Sequence, residues 1–449
     1  MNFTEIRKTQ LTTLVLICLP FFILFSCADD DADLTDNADS SSPNIVLIIA
    51  DDLGWDAFGN YPGITSIRAN TPILDSLALN GVTFTNFWSS PICAPTRAAL
   101  LTGKFGFRTG VGGVQNPQTA TLSNSEIIIQ QYLADNSTGG YASAVIGKWH
   151  VSAGSNLNAP DNFGVDYYSG IFRGAVQDYY NWTQTSAGEQ TDITTYTTTH
   201  FVNQSTDWID QQSGPFFLWL AFNAPHTPFH LPPADLITDK SLVDNQSAIN
   251  SDPLPYYLAS IEAMDTEIAR LIGSLSEEQR ENTVFIFMGD NGTPTQVVQT
   301  PYEENGAKNT LFQGGVNVPL IISGKGITRK NDMETAMVQV QDLFATIADL
   351  GETGTSTYQD GISIRPLLSS VSSDERAFVY TEQFGNTSTN NDGYAIRNDR
   401  YKLIERSDES SYLYDLTNDP FEQNNLLLNP LSELSQENFD ELKNIQAGL

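Results

Sequence analysis

The sequence predicts an α/β fold: a large, doubly wound, mostly parallel (mixed) sheet flanked by helices, followed by a smaller C-terminal antiparallel-sheet subdomain carrying a helix. Three observations predict it. Apolar runs at 44–50, 143–147, 216–221 and 283–288 are continuous and bounded by turn residues, the pattern of strands buried on both faces of a parallel sheet. The segments between them carry helical signals: Pro72 near the start of one stretch, and apolar residues at helical spacing over 256–275. Beyond residue 350 the texture changes to short strand-like pieces at 394–397, 401–404 and 412–414, with a turn at Asn398-Asp399. Leu431, Leu434, Leu442 and Ile445 then recur at helical spacing, so a last helix is expected to pack back on that small sheet. The organisation read from this is a leader at 1–26, a flexible acidic tether at 27–43, a main domain at 44–350 and a C-terminal subdomain at 351–449.

The chain of 449 residues, 40% hydrophobic with 24 Phe and 17 Tyr, can bury a large core. Its 54 acidic and 22 basic residues give a formal net charge of −32, which repels phosphate backbones and argues against nucleic acid as a partner. Such acidity suits solubility in a salty medium. It also means that any anionic ligand needs a concentrated local cluster of positive charge.

The first 26 residues place Arg7 and Lys8 before an apolar run over 11–25 broken by Pro20, a signal-peptide layout too short for a spanning helix. The segment ends Leu24-Phe25-Ser26-Cys27, which resembles a bacterial lipoprotein cleavage box with Cys27 as the acylated residue; ordinary secretion is the alternative. Ala28-Asp29-Asp30-Asp31 directly behind it resembles the surface-export signal of Bacteroidetes lipoproteins. The expectation is an exported protein, lipid-anchored at the cell surface on the outer membrane. One acyl chain binds a membrane only reversibly, so anchoring needs the multi-chain lipoprotein form. The other cysteines are Cys18, within the leader, and Cys93, so the mature body can form no internal disulfide.

Each of the four long strand candidates runs into polar residues: Asp51-Asp52, Lys148-Trp149-His150, Asn223-Ala224-Pro225-His226, and Asp290-Asn291. In open α/β sheets ligands bind beyond the carboxyl ends of the strands, so these four clusters suggest one site. Asp51, Asp52, Asp290 and Asn291 offer hard oxygen ligands that suit Ca²⁺, with Mg²⁺ as the alternative. His200, before Phe201 and Val202 in a predicted helix, reads as a packing residue. His230 reads as structural or exposed, with contact to a sugar as the alternative.

Pro91-Ile92-Cys93-Ala94-Pro95-Thr96-Arg97, continuing to Thr102-Gly103, resembles the signature Cys-x-Pro-x-Arg of the type I (formylglycine-dependent) sulfatases of the alkaline phosphatase superfamily. Gly140-Tyr141 through Gly147-Lys148-Trp149-His150 resembles the second signature of that family. Further likeness lies in Asn223-Ala224-Pro225-His226-Thr227-Pro228, in the stretch 305–316 around Lys308, in Gly361-Ile362-Ser363 and in 412–420, so it runs from about 44 to 425. Gln313 stands where that family usually has Glu. The local reading agrees: Pro95 suits a first helical turn, which places Cys93 at a helix N-terminus where negative charge is stabilised.

The resemblance implies a sulfuric ester hydrolase in which a maturation enzyme oxidises Cys93 to formylglycine, whose hydrate supplies the nucleophilic hydroxyl. It implies that Asp51, Asp52, Asp290, Asn291 and residue 93 hold the metal. Arg97, Lys148 and Lys308 would neutralise the sulfate, His226 would protonate the leaving alcohol, and His150 would take the proton that lets sulfate depart. The lipoprotein leader, like that of bacterial polysaccharide sulfatases, points to a sulfated glycan such as ulvan, carrageenan or a glycosaminoglycan. Two rival readings stay open on the sequence: a phosphomonoesterase or phosphonate hydrolase of the same superfamily, and a noncatalytic glycan-binding protein that kept the fold.

Overall fold

In a computed structural model describing residues 42–59, 61–114, 121–371, 376–385 and 391–449, the apolar run at 44–50 forms the central strand Asn44–Asp51. It pairs in parallel with Phe216–Pro225 on one side and with Thr283–Gly289 on the other. Ala142–Lys148 lies parallel to Phe216–Pro225, and Tyr167–Ile171 parallel to Ala142–Lys148. The expected strands are thus the middle of a single sheet of ten strands. Antiparallel pairing enters on both flanks: Leu320–Gly324 runs antiparallel to Thr283–Gly289, with Gly81–Phe84 and Asp332–Glu334 beyond it, and the hairpin Trp182–Ser186 with Glu189–Ile193 finishes the other side.

Alternate residues of the central strand enter two different cores. Ile45, Leu47 and Ile49 pack with Ala98, Leu100, Ile129, Leu343 and Ile347 on one face. Val46, Ile48 and Ala50 pack with Leu74, Phe201, Tyr257, Ile261 and Ile268 on the other. Cys93–Thr102, Ile129–Asn136 and Val340–Leu350 therefore cover one face, and Pro72–Leu79, Thr197–Ile209 and Leu254–Ser274 the other. Continuous apolar strands are the consequence, since no residue of Asn44–Asp51 faces water.

The C-terminal strands Val379–Gln383, Gly393–Arg397, Tyr401–Arg406 and Ser411–Asp415 form an antiparallel sheet of four. One face receives the helix Glu433–Ala447, whose Leu442 is buried with Ile396, Leu403 and Leu413. The other face sets Val379, Ala395, Ile404 and Tyr414 against Trp88, Leu311, Phe312 and Val316, so it supports the segment just after Lys308. The leader, Cys27 and the tether up to residue 41 lie outside the described residues. No described helix is long and apolar enough to cross a membrane.

Candidate active site

Cys93 opens the helix Cys93–Thr102, all ten residues of which are buried. Thr96 secures the turn before it: its hydroxyl oxygen accepts from Ser90 N–H at 2.9 Å and lies 3.2 Å from the Ile92 carbonyl. The helix ends at Gly103, whose left-handed backbone (φ 67°) lets its N–H reach the Ala99 carbonyl at 2.8 Å. The first N–H groups of a helix have no partner within it, so residue 93 sits at the positive end of the dipole. The Cys93 thiol is 3.3 Å from His150 Nδ1.

Around the thiol the strand ends converge. Arg97 places Nε and Nη2 on Asp290 Oδ2 at 3.1 and 2.8 Å, and donates from Nη1 to the Lys148 carbonyl at 2.7 Å; both side chains are fully buried. Burial works against the guanidinium charge, but Asp290 and Asp51 outweigh it and hold Arg97 more firmly protonated than usual. Lys148 Nζ meets Asp51 Oδ2 at 2.6 Å, also fully buried. Lys308 Nζ meets Asp52 Oδ2 at 2.6 Å. Burial alone would raise Asp52, but His226, Lys308 and Lys148 pull it down to about 2. Burial alone would lower Lys308, but Asp52 raises it above the ordinary lysine range. The three cations and three carboxylates of these pairs cancel, so the site lacks the positive excess that an anionic ester requires.

Two further atoms identify what would supply that excess. Asp51 Oδ1 and Asn291 Oδ1 are buried with no hydrogen-bond partner, and a buried acceptor without a partner is costly. Ligand atoms of Asp51, Cys93 and Asp290 lie within 4.8 Å of one another, as do those of Asp51, Asp52 and His226. Carboxylate and amide oxygens in this number fit a hard divalent cation. Asn291 is oriented for it, because its amide nitrogen is spent on Asp52 Oδ1 at 2.8 Å and the Gly292 carbonyl at 3.0 Å, leaving the oxygen free.

Two histidines face this cluster from different strand ends. His150, with a left-handed backbone (φ 61°), has its pKa held well below the usual histidine range by burial, then by Lys148 and Arg97. It is therefore neutral and able to accept a proton. His226 Nδ1 lies 2.7 Å from the Thr227 carbonyl and so carries the hydrogen of that bond, which turns Nε2 toward Asp52 Oδ2 at 3.6 Å. Asp52 shares the left-handed backbone (φ 71°). Conformations of this kind cost roughly 1–3 kcal/mol and cluster at functional sites.

The sulfatase family model matches residues 43–353, and a model of the C-terminal part of N-sulphoglucosamine sulphohydrolases matches residues 306–447. The chain belongs to the sulfatase family. Arylsulfatase G of Rattus norvegicus is 27% identical over 436 residues, covering 83% of this chain and 78% of that protein. The ulvan-active sulfatase of Formosa agariphila is 26% identical over 445 residues, covering 93% and 84%. Among solved structures, Ps i-CgsB in complex with k-i-k-neocarrahexaose has a TM-score of 0.73 at 24% identity, over 90% of this chain and 92% of that one; this likeness shows the shared fold. The sulfatase is accordingly a sulfuric ester hydrolase, and its family generally uses a formylglycine and a metal ion.

Every residue given a metal-binding or catalytic role in the main domain of this sulfatase, from Asp51 to Lys308, falls in the one cluster. His200 and His230 do not. His200 packs edge-on to Trp182 and bonds Gln184 at 2.5 Å. His230 is stacked on Tyr179 at 3.8 Å between centroids, and bonded to the Tyr196 hydroxyl at 3.0 Å. Tyr179 itself escaped the sequence reading: its hydroxyl is 2.7 Å from the carbonyls of both Asn223 and His226, so it fixes the turn that aims His226. Glu422 also escaped it. Its carboxylate accepts from Gln313 N–H, its carbonyl accepts from the Asn305 side chain at 2.7 Å, and it pairs with buried Lys402 at 2.6 Å. With Gln313 in place of Glu, a carboxylate from the C-terminal part steadies the loop that carries Lys308. No local motif marks either residue.

Proposed function

We propose that this sulfatase hydrolyses sulfate esters of a sulfated carbohydrate outside the cell, with a formylglycine made from Cys93 as nucleophile and Ca²⁺ as its metal. The observation that carries the reading is the placement of residue 93, in hydrogen-bond reach of a neutral His150 and beside the oxygens of Asp51 and Asp290. In the mature enzyme the thiol sulfur stands in for a hydroxyl of the hydrated aldehyde.

Residue 93 supplies the oxygen that bonds to sulfur while the bond from sulfur to the sugar oxygen breaks. His226, whose Nε2 is turned toward Asp52, gives a proton to the departing alcohol. His150 then takes the proton of the second hydroxyl on residue 93, which restores the aldehyde and releases inorganic sulfate. Asp51, Asp52, Asp290 and Asn291 would hold the cation, which when bound polarises the ester and lowers the pKa of the attacking hydroxyl. With the carboxylates so engaged, Arg97, Lys148 and Lys308 turn their charge to the sulfate oxygens.

The carbohydrate class rests on the ulvan-active relative, and ulvan or a similar algal polysaccharide is the proposed substrate. Anchoring through Cys27 at the outer-membrane surface, after export, fits degradation of a polymer too large to enter. A formylglycine-generating maturation enzyme is the other implied partner. The test is mass spectrometry of the Cys93 peptide, with sulfate release measured over a panel of defined sulfated oligosaccharides. An aldehyde at position 93, an inactive Cys93→Ala variant and release from at least one glycan are expected. Full activity with an unmodified thiol overturns the mechanism, and cleavage of simple aryl sulfates alone overturns the substrate class.

A further inference from the structure

The stretch that follows Tyr167–Ile171 runs from one catalytic histidine to the other. The Phe172 carbonyl accepts the His150 N–H at 3.4 Å, and the backbone of Gly174 lies on the His150 ring, where a Cβ would come 2.6 Å from Nε2. Five residues on, the Tyr179 hydroxyl holds the His226 carbonyl. Arg173 lies between the two residues that touch His150, and consecutive Cα atoms are about 3.8 Å apart. Its guanidinium covers Gly154, where a Cβ would lie 3.5 Å from Nε.

Arg173 is exposed, and among the described residues it makes no hydrogen bond or ion pair. Its guanidinium is thus uncommitted in a chain of net charge −32. It borders a cleft of about 310 Å³ lined also by Gln177, Trp182, Thr183, Thr185 and Gln190, with no carboxylate on its wall. The cleft thus combines a planar cation with five uncommitted donors and the exposed amide of Gln177, beside a Thr183 hydroxyl that donates to Asp192 at 3.0 Å and a Gln190 amide that donates to Thr185 at 3.4 Å. Guanidinium matches the two oxygens of a carboxylate or of a sulfate in a fork-to-fork pair.

We propose that Arg173 and this cleft form a subsite for a second anionic group, a uronate carboxylate or a further sulfate ester, on the sugar next to the one being desulfated. The inference rests on the carbohydrate reading above and deepens it: the enzyme selects densely anionic glycans. Gln177, exposed on the same wall, would take the hydroxyls of that sugar. Because Phe172 and Gly174, on either side of Arg173, both touch His150, the second anion would belong to a neighbouring sugar.

The test uses the mature enzyme turning over an aryl sulfate, with three disaccharides as competitors or substrates: one with a single sulfate and no other charge, one with a sulfate and a uronate, and one with two sulfates. The wild type is expected to favour a doubly charged disaccharide over the singly charged one by about tenfold, the worth of a charge-assisted pair. Arg173→Ala and Arg173→Gln bring that preference to within about twofold, and Arg173→Lys, a point charge in place of the fork, keeps part of it. Which doubly charged sugar is preferred identifies the anion. A wild type without preference, or an Arg173→Ala variant that retains it, overturns the subsite. If none of the three disaccharides competes while the aryl sulfate is still cleaved, the carbohydrate reading falls as well, a result distinct from loss of the preference alone.

Discussion

Gly174 lies flat against the imidazole of His150: a Cβ at 174 would sit 2.5 Å from Cε1 and 2.6 Å from Nε2. Real Cβ atoms do not approach so closely, so the ring has to move. A displacement of about 1 Å at a catalytic group can cost on the order of 10²-fold in rate. Gly174→Ala is expected to lower kcat by about that factor while the melting temperature changes little, since the residue is at the rim of the core. Kinetics with an aryl sulfate and a thermal melt check it; an unimpaired variant would show that His150 need not hold this position.

Removing the Tyr179 hydroxyl takes a partner from the part-buried His226 carbonyl and from the Asn223 carbonyl, which keeps the His226 N–H at 2.8 Å. Tyr179→Phe should lose about 1–3 kcal/mol of stability. If His226 delivers the proton to the leaving alcohol, the rate loss is larger for alkyl than for aryl sulfates, because aryl oxides leave without help. Equal losses on both leaving groups would assign Tyr179 to packing alone.

Chelation should separate activity from folding. Without the metal, Asp51, Asp52 and Asp290 remain neutralised by Lys148, Lys308 and Arg97, so no buried carboxylate is left bare. Exhaustive dialysis against a chelator is expected to abolish turnover yet leave a cooperative unfolding transition. Ca²⁺ should restore turnover better than Mg²⁺, read from recovery of sulfate release. Global unfolding on chelation would contradict this charge balance.

Asp56 carries a pH signature. Burial pushes its carboxyl up to about 6 from an ordinary 3.8, against hydrogen bonds from the Thr293 hydroxyl and Gln299 N–H. Below 3.8 it is protonated in folded and unfolded chains alike, and above 6 it is ionised in both. Between those limits the folded chain holds the extra proton, so stability falls as pH rises, by about 3 kcal/mol across the window. Asp56→Asn removes that dependence. Its stability relative to wild type should therefore climb from pH 4 to pH 7, as denaturant titrations at several pH values would show; a constant offset would refute the assignment.

The central strands were legible because burial on both faces leaves an unbroken apolar run, as at 44–50, and the polar residues at their ends were legible as strand endings. The flanking strands were harder. Glu189–Ile193 has a mostly exposed sequence, and only pairing with Trp182–Ser186 makes it a strand. Within the site, residue types could be read but not their pairings: Arg97 with Asp290 and Lys308 with Asp52 join positions 193 and 256 residues apart. Tyr179 and Glu422 act through backbone groups, which carry no side-chain signature at all.

Glu422 has one more consequence. The loop bearing Lys308 is tied to the C-terminal part by hydrogen bonds: Gln313 N–H and the Asn305 side chain donate to Glu422, Gln383 donates to the Asn309 side chain at 2.7 Å, and Asn391 donates to the Asn309 carbonyl at 2.9 Å. A gene cut short by a premature stop codon before residue 380 would still encode every residue of the cluster around Cys93, from Asp51 to Lys308. Its product would nonetheless lack the anchors for the loop that carries Lys308, so a pseudogene of this kind would pass for an intact enzyme in any survey that counts only the residues of that cluster.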